Sequence, residues 1–313
     1  MIGHESLGQV IELGPGVTGL KLGDLVVPMV RRPCDHADCG ACTSGRQDFC
    51  FSGDFSERGI KQAHGFMTEY VVDDARYMNL VPRELAEVAV LVEPLTIAEK
   101  ALEQLAQVQM RLPWVMSKRA GAPIGEGHRA VVLGAGPVGL LGAMALLVNG
   151  FETYVYSRSK RPNDKADLVE SIGAKYIASE EVPVEGLAKQ VGNIDLVYEA
   201  VGASQIAFEV MKVLGTNGVF IFTGVPGRKA PIQVDTDLLM RNLVLKNQIV
   251  YGTVNAGKIT FQDAIRDVGL FVQRFPEAVR ALITGRFPVE AHRDLLLGKA
   301  TGIKNVIHFA DAA

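Results

Sequence analysis

Cysteine is missing from all of this 313-residue chain except the stretch between residues 34 and 50, where all four lie. A disulfide framework spread over the chain is thereby excluded. A charge excess is lacking too: 32 Lys and Arg stand against 35 Asp and Glu, for a net charge of -3. There is no long Lys/Arg block and no interleaving of basic with aromatic residues, which argues against a nucleic-acid partner. The first residues carry no basic-then-apolar leader, so nothing points to secretion and a cytoplasmic protein is expected. Residues 130–151 lack charge altogether, a run long enough to cross a bilayer. Glycines and a proline interrupt it repeatedly, however, and a β-branched segment precedes its helical part, so no membrane span is expected. What the chain does have is length: 313 residues suffice for about two domains with a sizeable core.

The uncharged run organises the rest. Ala130–Leu133 reads as a buried strand and Leu140–Val148 as a mostly apolar helix. Between them Gly134, Gly136 and Gly139, with Pro137 and Val138, form the G-x-G-x-x-G turn that binds a dinucleotide. The first glycine permits the tight turn, the second lets backbone approach a pyrophosphate, and the third lets helix pack on strand. The phosphates then meet the N–H groups and dipole of a helix N-terminus. An NAD site would place Asp or Glu after the next strand, Glu152–Tyr156, to hold the ribose 2′-OH. Here Ser157, Arg158 and Ser159 stand there, followed by Lys160 and Arg161. Hydroxyls and cations suit a 2′-phosphate, so NADP is preferred and NAD is the second choice; a solvated basic loop is the plain alternative.

Cys34, Cys39, Cys42 and Cys50 follow the spacing C-x4-C-x2-C-x7-C in a short polar segment containing Gly40 and Gly45. The pattern reads as a structural four-thiolate zinc site, with His36 as a competing ligand and free thiols as the alternative.

In chain order, Ser6–Leu13, Leu25–Val30 and Gly65–Val72 read as strands. Glu84–Ala106 has helical spacing broken at Pro94, hence two helices, and Gln107–Gly127 reads as a linker carrying the only tryptophan, Trp114. Alternating strands and helices follow, with strands at Tyr154–Tyr156, Tyr176–Ile177, Leu196–Glu199, Val219–Phe222 and Gln248–Tyr251. This βαβ rhythm predicts a doubly wound parallel sheet over 128–254, after a first domain over 1–127. Residues 255–313, with helices at Phe261–Val272 and Phe275–Ile283 and a strand at Val306–Phe309, should return to the first domain. Ligands bind at strand ends in such sheets, which singles out Glu199-Ala200-Val201-Gly202, Thr223-Gly224-Val225 and Thr253-Val254-Asn255.

Taken together, Gly3-His4-Glu5-x2-Gly8-x5-Gly14, the four-cysteine lobe and Val132–Gly139 resemble the zinc-dependent medium-chain alcohol dehydrogenases. Val30-Arg31-Arg32-Pro33, Phe55-Ser56-Glu57-Arg58-Gly59-Ile60, His64-Gly65-Phe66 and Leu91-Val92-Glu93-Pro94-Leu95 resemble, within them, glucose 1-dehydrogenases of archaeal type. The resemblance implies an α/β protein: a GroES-like β-rich catalytic domain, incomplete at its N-terminus, plus a Rossmann domain. It implies a catalytic zinc held by His4 and Glu93, with Glu5 orienting or intermittently ligating it, and a structural zinc on the cysteines. Glu57, Glu93 and Asn255 would then bind the sugar, while the glycine turn, Ser157–Ser159, Thr223–Val225 and Thr253–Asn255 would bind the cofactor. The implied reaction is D-glucose plus NAD(P)+ to gluconolactone, in a homodimer or homotetramer.

Three departures accompany the resemblance. The family's segment before Gly-His-Glu, with a further zinc ligand, is not present; the Cys34–Cys39 loop looks longer than usual; and a sugar-contacting His aligns with Lys246. The first leads to an expectation that His4 frays, that Val10, Ile11 and Val27 are uncovered, and that the catalytic site is weak or empty. Another polyol dehydrogenase, or a catalytically dead nucleotide-binding remnant, is the alternative reading.

Overall fold

Glycine and proline interrupt the first hundred residues every few positions, and the strands there are correspondingly short. In the computed structural model, which describes residues 1–115, 122–227, 231–299 and 301–309, they are β1 (Gly8–Gln9), β2 (Leu25–Pro28) and β3 (Arg31–Arg32). After a one-turn helix α1 (Gly40–Thr43) come β4 (Ser56–Arg58), β5 (Gln62–Ala63) and β6 (Met78–Val81), then the long helix α2 (Val92–Gln109). One sheet has the order β1-β2-β6, the other β3-β4-β5. The next stretch alternates β7 (Arg129–Leu133), α3 (Pro137–Val148), β8 (Glu152–Ser157), α4 (Asp164–Ser171), β9 (Lys175–Ala178) and α5 (Val184–Val191). It continues with β10 (Leu196–Glu199), α6 (Ser204–Met211), β11 (Val219–Phe222), α7 (Thr236–Leu245) and β12 (Ile249–Gly252). The chain ends with α8 (Lys258–Arg274), α9 (Pro276–Ala281), β13 (Ile283–Pro288), α10 (His292–Leu297) and β14 (Lys304–His308), β13 and β14 pairing parallel.

Two units result: Met1–Lys100 together with Asn255–Ala313, and Ala101–Val254. The division falls inside α2, so residues 101–127, read from sequence as the end of the first domain, group with the second unit.

In the second unit the six strands lie in the order β12-β11-β10-β7-β8-β9 and all pair parallel. This is the doubly wound arrangement, with the strand order reversing beside β7, whose C-terminal end carries the glycine turn. Its strands read as continuous apolar runs because helices cover both faces. Val131, Val197, Phe220, Leu187 and Val210 are completely buried there, each contributing about 1.5–3 kcal/mol by leaving water.

Several sequence expectations are corrected. Only Gly8–Gln9 of the stretch 6–13 forms a strand, and residues 65–72 form none, since their backbone bonds go to single residues rather than a ladder. Pro94 does not break a helix: it occupies the first turn of α2, where a missing N–H costs nothing. The linker expected from Gln107 begins after Gln109, and residues 116–121 of it lie outside the described residues. The sequence reading does not anticipate α7, α10 or the strand β13. Val27 is fully buried rather than uncovered, because β2 is the central strand of its sheet, whereas Ile11 is exposed. Among the described residues, no helix is long and apolar enough to cross a membrane.

The glycine turn is locked by a close approach. A Cβ at Gly139 would lie 2.2 Å from the Gly134 carbonyl oxygen, whereas one at Gly136 would meet nothing within 4 Å. Gly139→Ala is therefore expected to cost on the order of 1–3 kcal/mol, as an overpacked site does, and Gly136→Ala less than about 1 kcal/mol, the loss of a favourable N-cap. Urea unfolding of the two variants checks this; equal losses would contradict it.

Candidate active site

The segment bearing His4 is clasped by backbone. A Cβ at Gly59 would lie 2.4 Å, and one at Gly65 2.3 Å, from the Gly3 carbonyl oxygen, so only glycine lets these chains approach. Three backbone hydrogen bonds, from Gly65, Phe66 and Met67 N–H to the carbonyls of Met1, Gly3 and Ile2, tie the segment down. These three bonds counter the fraying expected of His4.

His4, Glu5 and Glu93 converge, with one ligand atom of each lying within 4.8 Å of the others. Glu93 comes from the first turn of α2, where it is 8% exposed. Burial pushes its carboxyl up to about 8, the response of an acid withdrawn from water. Burial, with Lys304 nearby, holds His4 below its ordinary value, while Glu57 pulls the other way. Lys304, from β14, forms an ion pair with Glu5, and its own burial lowers it to about 8. One imidazole and two carboxylates are a donor set that zinc accepts at about 2.0–2.2 Å.

Glu57, directly opposite Arg31 across β3 and β4, lies close enough to affect His4. Asn255 reaches it through Nδ2, which donates to Glu57 Oε1 at 2.7 Å. Asn255 holds a left-handed backbone, φ 62°, its own Oδ1 accepting from Ala256 N–H at 2.8 Å; asparagine tolerates this conformation better than most residues.

The cysteine lobe lies around α1. All four sulfurs fall within 4.8 Å of one another, and none is in a disulfide. Cys39 and Cys50 Sγ are 3.9 Å apart, near the about 3.8 Å edge of a tetrahedron with Zn–S bonds of about 2.3 Å. Burial pushes the Cys42 thiol up to about 12. At Cys50 burial acts the same way but is outweighed by bonds from Ser52 and Gly53, which bring it down to about 6. Crowded thiols that cannot all ionise together form a group that could hold a cation. His36 does not compete: it pairs with Asp54 at 2.6 Å, which raises its basicity.

In the second unit, Gly134 has φ +98° and Gly136 caps α3, with Pro137 at its first position and Val138 next. The space beside Gly136 is open at the N-terminus of α3, where helix N–H groups favour an anion. Ser157 ends β8, and Arg158 and Ser159 after it are exposed. Arg161 is engaged by Asp167 and Glu170, but no described residue pairs with the Arg158 guanidinium. Glu199, 1% exposed, organises two of the strand ends: it accepts Val201 and Gly202 N–H on Oε1 and Gly224 N–H on Oε2. Thr223 Oγ1 donates to the Glu199 carbonyl at 2.7 Å. Val225 and Val254 are exposed, and Thr253 is buried with its hydroxyl unpartnered. Lys246 Nζ, in contrast, donates to the Leu214 carbonyl at 3.4 Å.

Arg31, Lys304 and the organising role of Glu199 escape sequence reasoning. Arg31 and Lys304 owe their positions to pairings 26 and 299 residues apart in the chain, which no local pattern announces; for Glu199 the only signal is an acid at the end of an apolar strand.

Residues 1–83 match the alcohol dehydrogenase GroES-like domain, and residues 86–309 match the glucose dehydrogenase C-terminus. Glucose 1-dehydrogenase of Methanocella arvoryzae is 36% identical over 98% of this chain and 82% of its own. That of Thermoproteus tenax is likewise 36% identical, over 98% of this chain and 82% of its own. The structure of Haloferax mediterranei glucose dehydrogenase in complex with NADP, Zn and gluconolactone superposes with a TM-score of 0.84 at 31% identity. It covers 99% of this chain and 83% of that one. With both parts matched and nearly the whole chain aligned, the protein belongs to the zinc-dependent medium-chain dehydrogenases, close to the archaeal glucose dehydrogenases.

Proposed function

We propose that this protein is a zinc-dependent glucose 1-dehydrogenase that prefers NADP+, oxidising the C1 hydroxyl of D-glucose to gluconolactone. The observation that carries the reading is the convergence of His4, Glu5 and Glu93 in the unit where Asn255 also bonds Glu57. The glucose 1-dehydrogenase relatives support the substrate, and the Haloferax complex with NADP, Zn and gluconolactone supports the cofactors.

His4, Glu93 and Glu5 would hold a zinc ion, which when bound supplies Lewis acidity that eases removal of the hydroxyl proton. Bound NADP+ supplies the hydride acceptor. The rest is done by the chain's own groups. His4, kept below its ordinary pKa, is neutral near pH 7 and offers a ring-nitrogen lone pair. Glu57 receives no hydrogen bond on Oε2 from any described residue, which leaves that oxygen to accept one from a sugar hydroxyl. Gly136 and the N-terminus of α3 would take the pyrophosphate, Arg158 the 2′-phosphate, and the strand ends around Glu199 the remainder of the cofactor. Cys34, Cys39, Cys42 and Cys50 would hold a second, structural zinc. Another polyol is the second candidate substrate, favoured by Lys246, which bonds a carbonyl where a sugar-contacting His is aligned.

NADPH formation with a panel of aldoses and polyols tests the reading: D-glucose should give the highest kcat/KM, and turnover of acyclic polyols alone would contradict it. Arg158→Ala should raise KM for NADP+ at least about tenfold, the loss of a charge-assisted phosphate contact, with little change for NAD+. Equal losses with both cofactors would remove Arg158 from this role.

Cys42→Ser should lower zinc content by one ion in each chain and lower the Tm, because a closed four-ligand site contributes directly to folding. Unchanged zinc stoichiometry in that variant would contradict a four-thiolate site.

A further inference from the structure

The side chain of Arg31 is buried, 7% exposed, although arginine is rarely placed so deep without a specific task. Its guanidinium faces three ways. Nε and Nη2 donate to Glu57 Oε1 at 3.0 and 2.9 Å. Nη1 donates to the carbonyls of Asp48, at 3.3 Å, and Gln47, at 3.5 Å. The ring of Phe55 stacks beneath the plane at 3.7 Å. The return bond runs from Gln47 Nε2 to the Arg31 carbonyl at 3.5 Å.

These contacts join two places that no sequence pattern relates. Residues 47–49 form the turn that leads into Cys50, so Arg31 holds the backbone next to the last cysteine of the lobe. The same turn is fixed from its other side, where Lys100, itself buried, reaches Asp48 Oδ2 at 3.1 Å and Arg46 reaches it at 3.0 Å. Glu57 Oε1 thus accepts from Arg31 twice and from Asn255 once. With one carboxylate oxygen taken up by three donors, the plane and rotamer of Glu57 are set and Oε2 is the oxygen left for a ligand.

We infer that Arg31 is a positioning residue: it fixes the orientation in which Glu57 meets the sugar hydroxyls and ties that orientation to the cysteine lobe. The inference rests on the reading of Glu57 as a sugar-binding residue. A planar fork of five N–H groups spans the carboxylate and both carbonyls at once. A lysine ammonium is a single point and cannot make all of these contacts together, so Arg31→Lys keeps the charge and loses the geometry.

The test is steady-state kinetics of the zinc-loaded Arg31→Lys enzyme, with zinc content measured alongside. KM for glucose should rise by about ten- to a hundredfold, the loss of charged hydrogen bonds, while KM for NADP+ and zinc content stay at wild-type values. Discrimination between glucose and its epimers should fall in parallel. A role confined to folding would instead lower zinc content or active fraction and leave KM for glucose unchanged, which overturns the inference. So does an equal rise in both KM values. Phe55→Leu, which removes the ring under the guanidinium, provides a second variant should Arg31→Lys not fold: it should raise KM for glucose in the same direction, and an unchanged value overturns the inference. If the wild-type enzyme turns over no aldose at all, the reading of the site has failed rather than the placement of Arg31.

Discussion

A buried carboxylate without a countercharge sets the terms for the first unit. Glu93 is withdrawn into the first turn of α2, and only burial accounts for its shift, since no neighbouring cation offsets the loss of water. Such a group is costly when ionised unless something positive is brought to it. His4 and Glu5 stand on the other side of the same small space, and Lys304 is already engaged with Glu5. The arrangement is poor as a device for stability, and its donor set is one that a divalent cation could occupy. Gly59 and Gly65 press on the Gly3 carbonyl, and the same segment is held by the Met1 amine at His64 Nδ1 and by the Glu5–Lys304 ion pair.

The second unit shows the opposite solution to the same electrostatic problem. Glu199 is buried at the end of its strand in the parallel sheet, yet three backbone N–H groups from two strand ends satisfy it. No metal is called for, and the carboxylate serves instead to hold loops at the carboxyl end of the sheet, where a doubly wound fold receives its ligand. Two buried acids thus meet different surroundings: Glu93 has no partner among the described residues that offsets its burial, whereas Glu199 is satisfied by backbone N–H groups.

Much of this was legible in the sequence, for identifiable reasons. The parallel sheet announces itself because strands buried on both faces read as unbroken apolar runs, and Gly134, Gly136 and Gly139 mark its turn at a fixed spacing. The cysteines were legible because ligands confined to 17 positions have few ways to fold apart. The first unit was harder. Its strands before α2 are two to four residues long, too short for period-two alternation to register, so the strands expected over 6–13 and 65–72 reduce to Gly8–Gln9 alone. Pro94 looked like a helix break because the sequence does not say that α2 begins two residues before it. Arg31 and Lys304 were invisible for a deeper reason: each acts through a partner distant in the chain, and only tertiary structure brings the pair together.

The central claim is that His4, Glu5 and Glu93 form a metal site, distinct from the four cysteines. Anomalous diffraction from crystals of the zinc-loaded protein, recorded on either side of the zinc absorption edge, tests it most directly. The account predicts two peaks in each chain, one enclosed by the sulfurs of Cys34, Cys39, Cys42 and Cys50 and one bonded to His4 and Glu93. A single peak among the cysteines, with the space between His4 and Glu93 empty at saturating zinc, would contradict it.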